Sequence, residues 1–268
     1  MKNNISKDYK KYLRKKTRNK IITLSVQLGI LILFIALWEI LARVGILDTF
    51  IFSSPSRILK TIADLYNSGS LFYHITTTLN EALIGFLIAT LGGYIIAIIL
   101  WWNDFLRKVL DPYIVVLNSL PKIALGPIII IWVGVGTSAI ITMDILIMIV
   151  ISIITMLNAF RQTDENKIML LRSMGANKFQ ILFKLIIPNA LPEFISLLKI
   201  NVGLTWVGTI MGEYLVSRAG LGYLIIYGSQ IFNLDLVMTG TILLCILATL
   251  MYFVVGFIEK SINKKHNK

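Results

Sequence analysis

The chain has 268 residues, a formal net charge of +12, 56% hydrophobic and 15% charged residues, and a mean hydropathy of +0.79. That much apolar side chain exceeds what one water-soluble core can hide, which excludes an ordinary soluble domain and demands a bilayer. A single cysteine, Cys245, and two histidines far apart, His74 and His266, exclude a disulfide framework and offer no metal-binding spacing, so no metal or cofactor is expected.

Residues 1–20 form a basic tail carrying nine Lys and Arg, including the run KDYKKYLRKKTRNK. Its place directly before an apolar run makes it a topology determinant that touches anionic lipid, and no nucleic-acid partner is expected. The apolar run at 21–42 is longer than the core of a removable signal, and Leu41-Ala42-Arg43 is no small-x-small cleavage site. It is the first of about six stretches long enough to cross ~30 Å of hydrocarbon at ~1.5 Å per residue. The others are 78–102, 113–134, 138–159, 194–214 and 236–258, and their continuity predicts helices rather than barrel strands.

Between the first two spans, FSSPSRILKTIADLYNSG predicts a surface helix: Ser54 caps it and Pro55 fills its first turn. Ile58, Ile62 and Leu65 give it an apolar stripe, and Asn67 and Gly69 end it. The second span carries Glu81 near its start. The third contains Pro121 and Pro127 with Lys122 between them, and broken backbone at membrane depth is tolerated only inside protein or beside a wet cavity. Asn118 and Lys122 are therefore candidates for a translocation path; a lysine snorkelling to the interface is the other reading of Lys122. Asp144 lies near the middle of the fourth span without an evident sequence partner. Asn201, Thr205, Trp206 and Glu213 in the fifth span complete the path candidates, with interhelical hydrogen bonding as the alternative for each.

The cytoplasmic connection at about 160–192 is the longest polar interruption. Thr163 or Asp164 caps a helix start, Gly175 reads as its left-handed stop, and Asn177 with Gln180 forms a capping box that reopens the chain. Phe179, Leu182, Phe183, Ile186 and Ile187 then fall on one helical face, and Pro188 and Pro192 constrain the return to the membrane. The product is a helical elbow.

With the N-terminus inside, twenty Lys and Arg lie in cytoplasmic segments and four outside. That places both termini in the cytoplasm. The fold class is an all-α membrane protein: a transmembrane domain over 21–258 flanked by the basic tails 1–20 and 259–268. No G-x-x-x-x-G-K-[ST] loop occurs, so energy for any active work comes from another subunit and no enzymatic activity is expected.

The elbow resembles the coupling motif of binding-protein-dependent ABC importer permeases. Gly175 fills its glycine position, and Leu185, Ile187 and Pro188 fill its I-x-L-P positions, while Met169, Leu170 and Leu171 replace its E-A-A start. FSSPSRILKTIADLYNSG, LPKIALGPIIIIWVGVGTS and WVGTIMGEYLVSRAGLGYLI are similar to blocks in the subfamily importing nitrate, taurine, aliphatic sulfonates and vitamin precursors, in matching order over roughly residues 52–259. The resemblance implies a type I ABC importer permease in the cell membrane. Its implied partners are a second permease copy, separate ABC ATPase subunits and an extracellular solute-binding protein. It also implies ATPase coupling through Asp164, Arg172, Gly175, Ala176, Gln180 and Pro188. Glu81 stands where similar permeases carry Arg, marking either a different substrate or an interfacial site. The rival readings are a secondary transporter, for which no inverted repeat is evident, and a structural or sensory membrane component.

Overall fold

A computed structural model of the chain describes residues 7–266, and every regular element among them is helical. The outermost residues of the two basic tails, 1–6 and 267–268, lie outside the described residues. Helix α1 (Lys7–Arg43) runs from the basic tail straight through the first predicted span. Its 37 residues extend ~55 Å, well beyond the ~30 Å hydrocarbon layer. A short α2 (Thr49–Phe52) follows, then α3 (Pro55–Asn67) and the long α4 (Ser70–Trp102). Ser54 caps α3 as expected, its Oγ accepting from the Arg57 N–H, and Ile58 is buried. Asp235 fastens this end of the molecule by accepting from Ser53 Oγ at 2.6 Å and pairing with Arg57 at 2.7 Å.

The third predicted span is not one helix. It divides into α5 (Asp104–Ser119), a 3₁₀ turn (Lys122–Leu125) and α6 (Gly126–Val133), and the two halves meet at 88°. Pro121 is the cause: it lacks an N–H and forces Leu120 before it into extended backbone, φ −65° and ψ 140°. Among the described residues five helices remain long and apolar enough to cross a membrane, or six spans if the bent pair counts as one.

The centre of the molecule is α7 (Thr137–Arg161), packed between α4 and α11 (Leu191–Val216). Residues 140, 144, 148, 152 and 156 of α7 are Ile, Asp, Met, Ser and Met, and all five side chains are fully buried. Across from them α4 presents Gly85, Ala89, Gly93 and Ala97, a small residue at every fourth position, which lets the backbones approach closely. A Cβ on Gly93 would stand 3.1 Å from the Ile149 carbonyl oxygen of α7. Helices α12 (Leu221–Gln230) and α13 (Leu234–His266) close the bundle against α11 and each other. By contrast α1 is exposed along nearly all its length and touches the remainder mainly at α3, presenting its Leu, Ile and Phe side chains outward as a lipid-facing helix does.

Candidate functional site

The elbow is built as a stop and a restart. Asp164, rather than Thr163, caps α8 (Glu165–Ser173) by accepting from the Asn166 N–H at 2.9 Å. At the far end Gly175 adopts φ +82°. Its N–H reaches the Arg172 carbonyl and the Ala176 N–H reaches the Leu171 carbonyl, both at 2.9 Å, which is a complete Schellman stop. Asn177 and Gln180 form the reciprocal box that opens α9 (Lys178–Ile181): Asn177 Oδ1 accepts from the Gln180 N–H at 2.8 Å and Gln180 Oε1 from the Asn177 N–H at 2.9 Å. A π turn (Leu182–Ile186) and α10 (Ile187–Asn189) then carry Pro188 toward α11. Asn189 ties the end of the elbow to its beginning by donating to Thr163 Oγ1 at 3.2 Å.

The elbow has a buried side and an open side. Ile181, Leu182 and Ile186 insert among Ala97 and Leu100 of α4 and Met156, Leu157 and Phe160 of α7. Of the predicted stripe, Leu182 and Ile186 are buried in the bundle, while Phe179 and Phe183 are 62% and 61% exposed, Phe179 with its ring 4.5 Å from that of Trp102. Met169, Leu170 and Met174 are exposed at the outer bend. Between the elbow and the α4–α5 turn lies a cleft of about 640 Å³ lined by Arg107, Arg161, Arg172 and Lys178. Lys178 also donates to the Trp102 carbonyl and lies 5.0 Å from the Trp102 ring.

Within the bundle, Asn201, Thr205, Thr209 and Glu213 recur every fourth residue along α11 and form a polar ladder. Asn201 Nδ2 donates to Thr90 Oγ1 at 2.8 Å and to Ser152 Oγ at 2.9 Å. Thr205 contacts Met148 Sδ at 3.0 Å, Thr209 donates to Asp144 Oδ2 at 2.8 Å, and Glu213 Oε1 accepts from Thr78 at 2.6 Å. Each rung joins α11 to α7 or α4. Asn201, Thr205 and Glu213 are fully buried within the single chain, and Trp206, 6% exposed, belongs to the apolar core with Phe86, Met148 and Leu224. Glu81 is buried as well, accepting from Thr137 at 2.8 Å. Thr78, Thr90, Ser152 and Thr209 were not among the sequence candidates, although Thr209 completes the four-residue spacing already visible on α11.

Asn118 and Lys122 stand apart from the ladder. Asn118 is exposed on α5, and Lys122 is half-buried just beyond the 88° break. Lys122 Nζ reaches the Ile147 carbonyl at 3.4 Å. Ile147 lies near the middle of α7, far from either end of Thr137–Arg161, so the ammonium sits level with the helix centre rather than at either end.

The chain with these features, an apolar bundle and an elbow keyed into two of its helices, matches a known family. The family model described as "Binding-protein-dependent transport system inner membrane component" matches residues 89–266. The chain belongs to that family. This permease is 29% identical over 225 residues to a probable ABC transporter permease of Haemophilus influenzae, covering 83% of this chain and 90% of the relative. It is 30% identical over 193 residues to the formylaminopyrimidine transport permease of Halalkalibacterium halodurans (72% and 76% covered), and 23% identical over 252 residues to the taurine transport permease of Escherichia coli (92% and 91% covered). Among solved structures, an inward-facing form of the MetNI methionine ABC transporter superposes with a TM-score of 0.58 at 23% identity, over 72% of this chain and 94% of that one. A bacterial alginate ABC transporter bound to its periplasmic protein gives 0.65 at 13% identity, over 91% and 98%. The fold is that of the type I ABC importer permeases, and the permease is a multi-pass membrane subunit of an ABC importer.

Proposed function

We propose that two copies of this permease surround a central pathway, that a separate ATPase docks on each elbow, and that an extracellular solute-binding protein delivers a small polar solute at the opposite face. The solute class is that of the relatives, sulfonate, taurine or vitamin-precursor, with nitrate from the resemblance. Both termini and both basic tails then lie in the cytoplasm, where the tails meet anionic lipid. Asp164, Arg172, Gly175, Ala176, Gln180 and Pro188 shape or flank the surface that the ATPase grips, and no nucleotide binds to the permease itself. Asn118 and Lys122 face the path. Asn201, Thr205, Trp206 and Glu213 contribute by holding the helices that bound it.

The observation that carries this reading is the two-sided elbow. Its inner residues Ile181, Leu182 and Ile186 are wedged between α4 and α7, while Met169, Leu170 and Met174 remain open to a partner. A close-packed interior transmits strain, so a push on the open side displaces the transmembrane helices. The test is uptake by the permease reconstituted with its ATPase and binding protein. Uptake should require ATP and the ATPase and be blocked by vanadate. Uptake driven by an ion gradient without the ATPase would make the protein a secondary transporter instead.

A further inference from the structure

Helix α12 begins without a cap of its own. The residue before it is Gly220, at φ +111°, which has no side chain to accept from the first N–H groups. Those donors are nevertheless all satisfied, and by other helices. The Gly220 N–H donates to His74 Nδ1 at 3.0 Å and the Leu221 N–H to Thr78 Oγ1 at 2.7 Å, both acceptors lying one turn apart on α4. The Gly222 and Tyr223 N–H groups donate to Glu213 Oε2 at 2.5 and 3.3 Å, and the Thr78 hydroxyl donates to Glu213 Oε1 at 2.6 Å. Four consecutive backbone donors are thus held by three buried side chains from α4 and α11, with a carboxyl placed at the positive end of a helix.

The fit leaves no slack. A Cβ on Gly222 would lie 2.7 Å from Glu213 Oε2, and one on Gly220 would overlap the same carboxyl. The glycines of Ala219-Gly220-Leu221-Gly222-Tyr223 are therefore set by Glu213. Glu213 sits near the end of α11 remote from the elbow, whereas α11 starts at Leu191, directly after the elbow. At ~1.5 Å per residue, α11 spans ~33 Å from Leu191 beside the elbow to Glu213 at this joint.

We infer that Glu213, acting with Thr78, is a positioning residue for transport. It welds the start of α12 to α4 and α11, so that a displacement received at the elbow moves the far ends of all three helices as one body. This rests on the reading of the elbow as the ATPase contact.

The experiment uses the complete complex of permease, ATPase and binding protein in proteoliposomes, scoring solute taken up per ATP hydrolysed. Glu213→Gln keeps the volume but replaces one acceptor oxygen by a donor, so either Thr78 or the α12 amides lose their partner. Uptake per ATP is expected to fall about tenfold in Glu213→Gln and severalfold in Thr78→Val, with the double variant no worse than Glu213→Gln alone, since both cut one joint. Thr78→Ser, which retains the hydroxyl, should restore wild-type coupling. Spin labels at exposed Phe72 of α4 and Tyr227 of α12, diluted among unlabelled protomers, should keep one separation in the resting and vanadate-trapped wild type and diverge in Glu213→Gln. Reduced abundance with wild-type uptake per ATP in the assembled fraction would overturn the joint, as would additive losses in the double variant. If Glu213→Gln fails to assemble, the comparison of Thr78→Val with Thr78→Ser decides. A wild-type complex without ATP-dependent uptake would instead sink the functional reading beneath it.

Discussion

The Asp144 carboxyl of α7 lies against the bare Cα of Gly208 on α11, in the space a side chain at 208 would occupy. A Cβ there would overlap Asp144 Oδ1 and stand 3.2 Å from the α7 backbone at the same residue. Gly208→Ala is therefore expected to destabilise the permease by ~1–3 kcal/mol through overpacking. Gly203, on the same helix, has nothing within 4 Å of its Cβ position. Gly203→Ala should be neutral or stabilising by up to ~1 kcal/mol, as for alanine in a helix interior. Thermal unfolding of the two variants in detergent checks the contrast, and equal midpoints would contradict it.

This contact also marks the limit of what one sequence discloses. Run lengths give the long helices directly, because each must span the bilayer with its own hydrogen bonds. The elbow is legible because its signals are local: Asp164, Gly175, Asn177 and Gln180 act on backbone within a few residues. Asp144 has no evident partner in sequence because Thr209 is 65 residues away, and Glu213 and Thr78 are 135 apart. Pro121 announced a disturbance in the third span but not its 88° extent, which depends on how α5 and α6 pack.

Lys122 provides the next test. Its ammonium lies level with the middle of α7, where a charge is tolerated only in contact with protein or water. On the path reading, Lys122→Ala should lower uptake about tenfold, through rate or apparent affinity, while the variant assembles and binds its ATPase normally. Unchanged uptake on both measures would leave Lys122 as a backbone-bonded lysine with no part in transport.

The proposed orientation puts Asn67, at the end of α3, and Arg218, between α11 and α12, outside the cell. Both are exposed, and so is Cys245, which must first be replaced. In a Cys245→Ser background, cysteines introduced at 67 and 218 should react with a membrane-impermeant maleimide in intact cells. Reaction only after permeabilisation would invert the topology and with it the assignment of the elbow to the cytoplasm.

Gly175 isolates the elbow's geometry from its packing. Its φ of +82° is strained for any residue with a Cβ, yet nothing lies within 4 Å of where that Cβ would be. A substitution here thus perturbs backbone conformation and little else. Alanine should cost ~1 kcal/mol and a β-branched residue more, because its side chain meets the adjoining backbone. The chain can relieve the strain by abandoning the positive φ, which breaks the Schellman bonds from Gly175 and Ala176 and lets α8 swing relative to α9. Since Ile181, Leu182 and Ile186 remain anchored in the bundle, the membrane helices should still insert and pack. The expected outcome in the reconstituted complex is graded: uptake per ATP falls from wild type to Gly175→Ala to Gly175→Val, with abundance and helical content retained. Gly175→Val that docks its ATPase and transports like wild type would mean that the bend is only a connector and that coupling enters the bundle elsewhere.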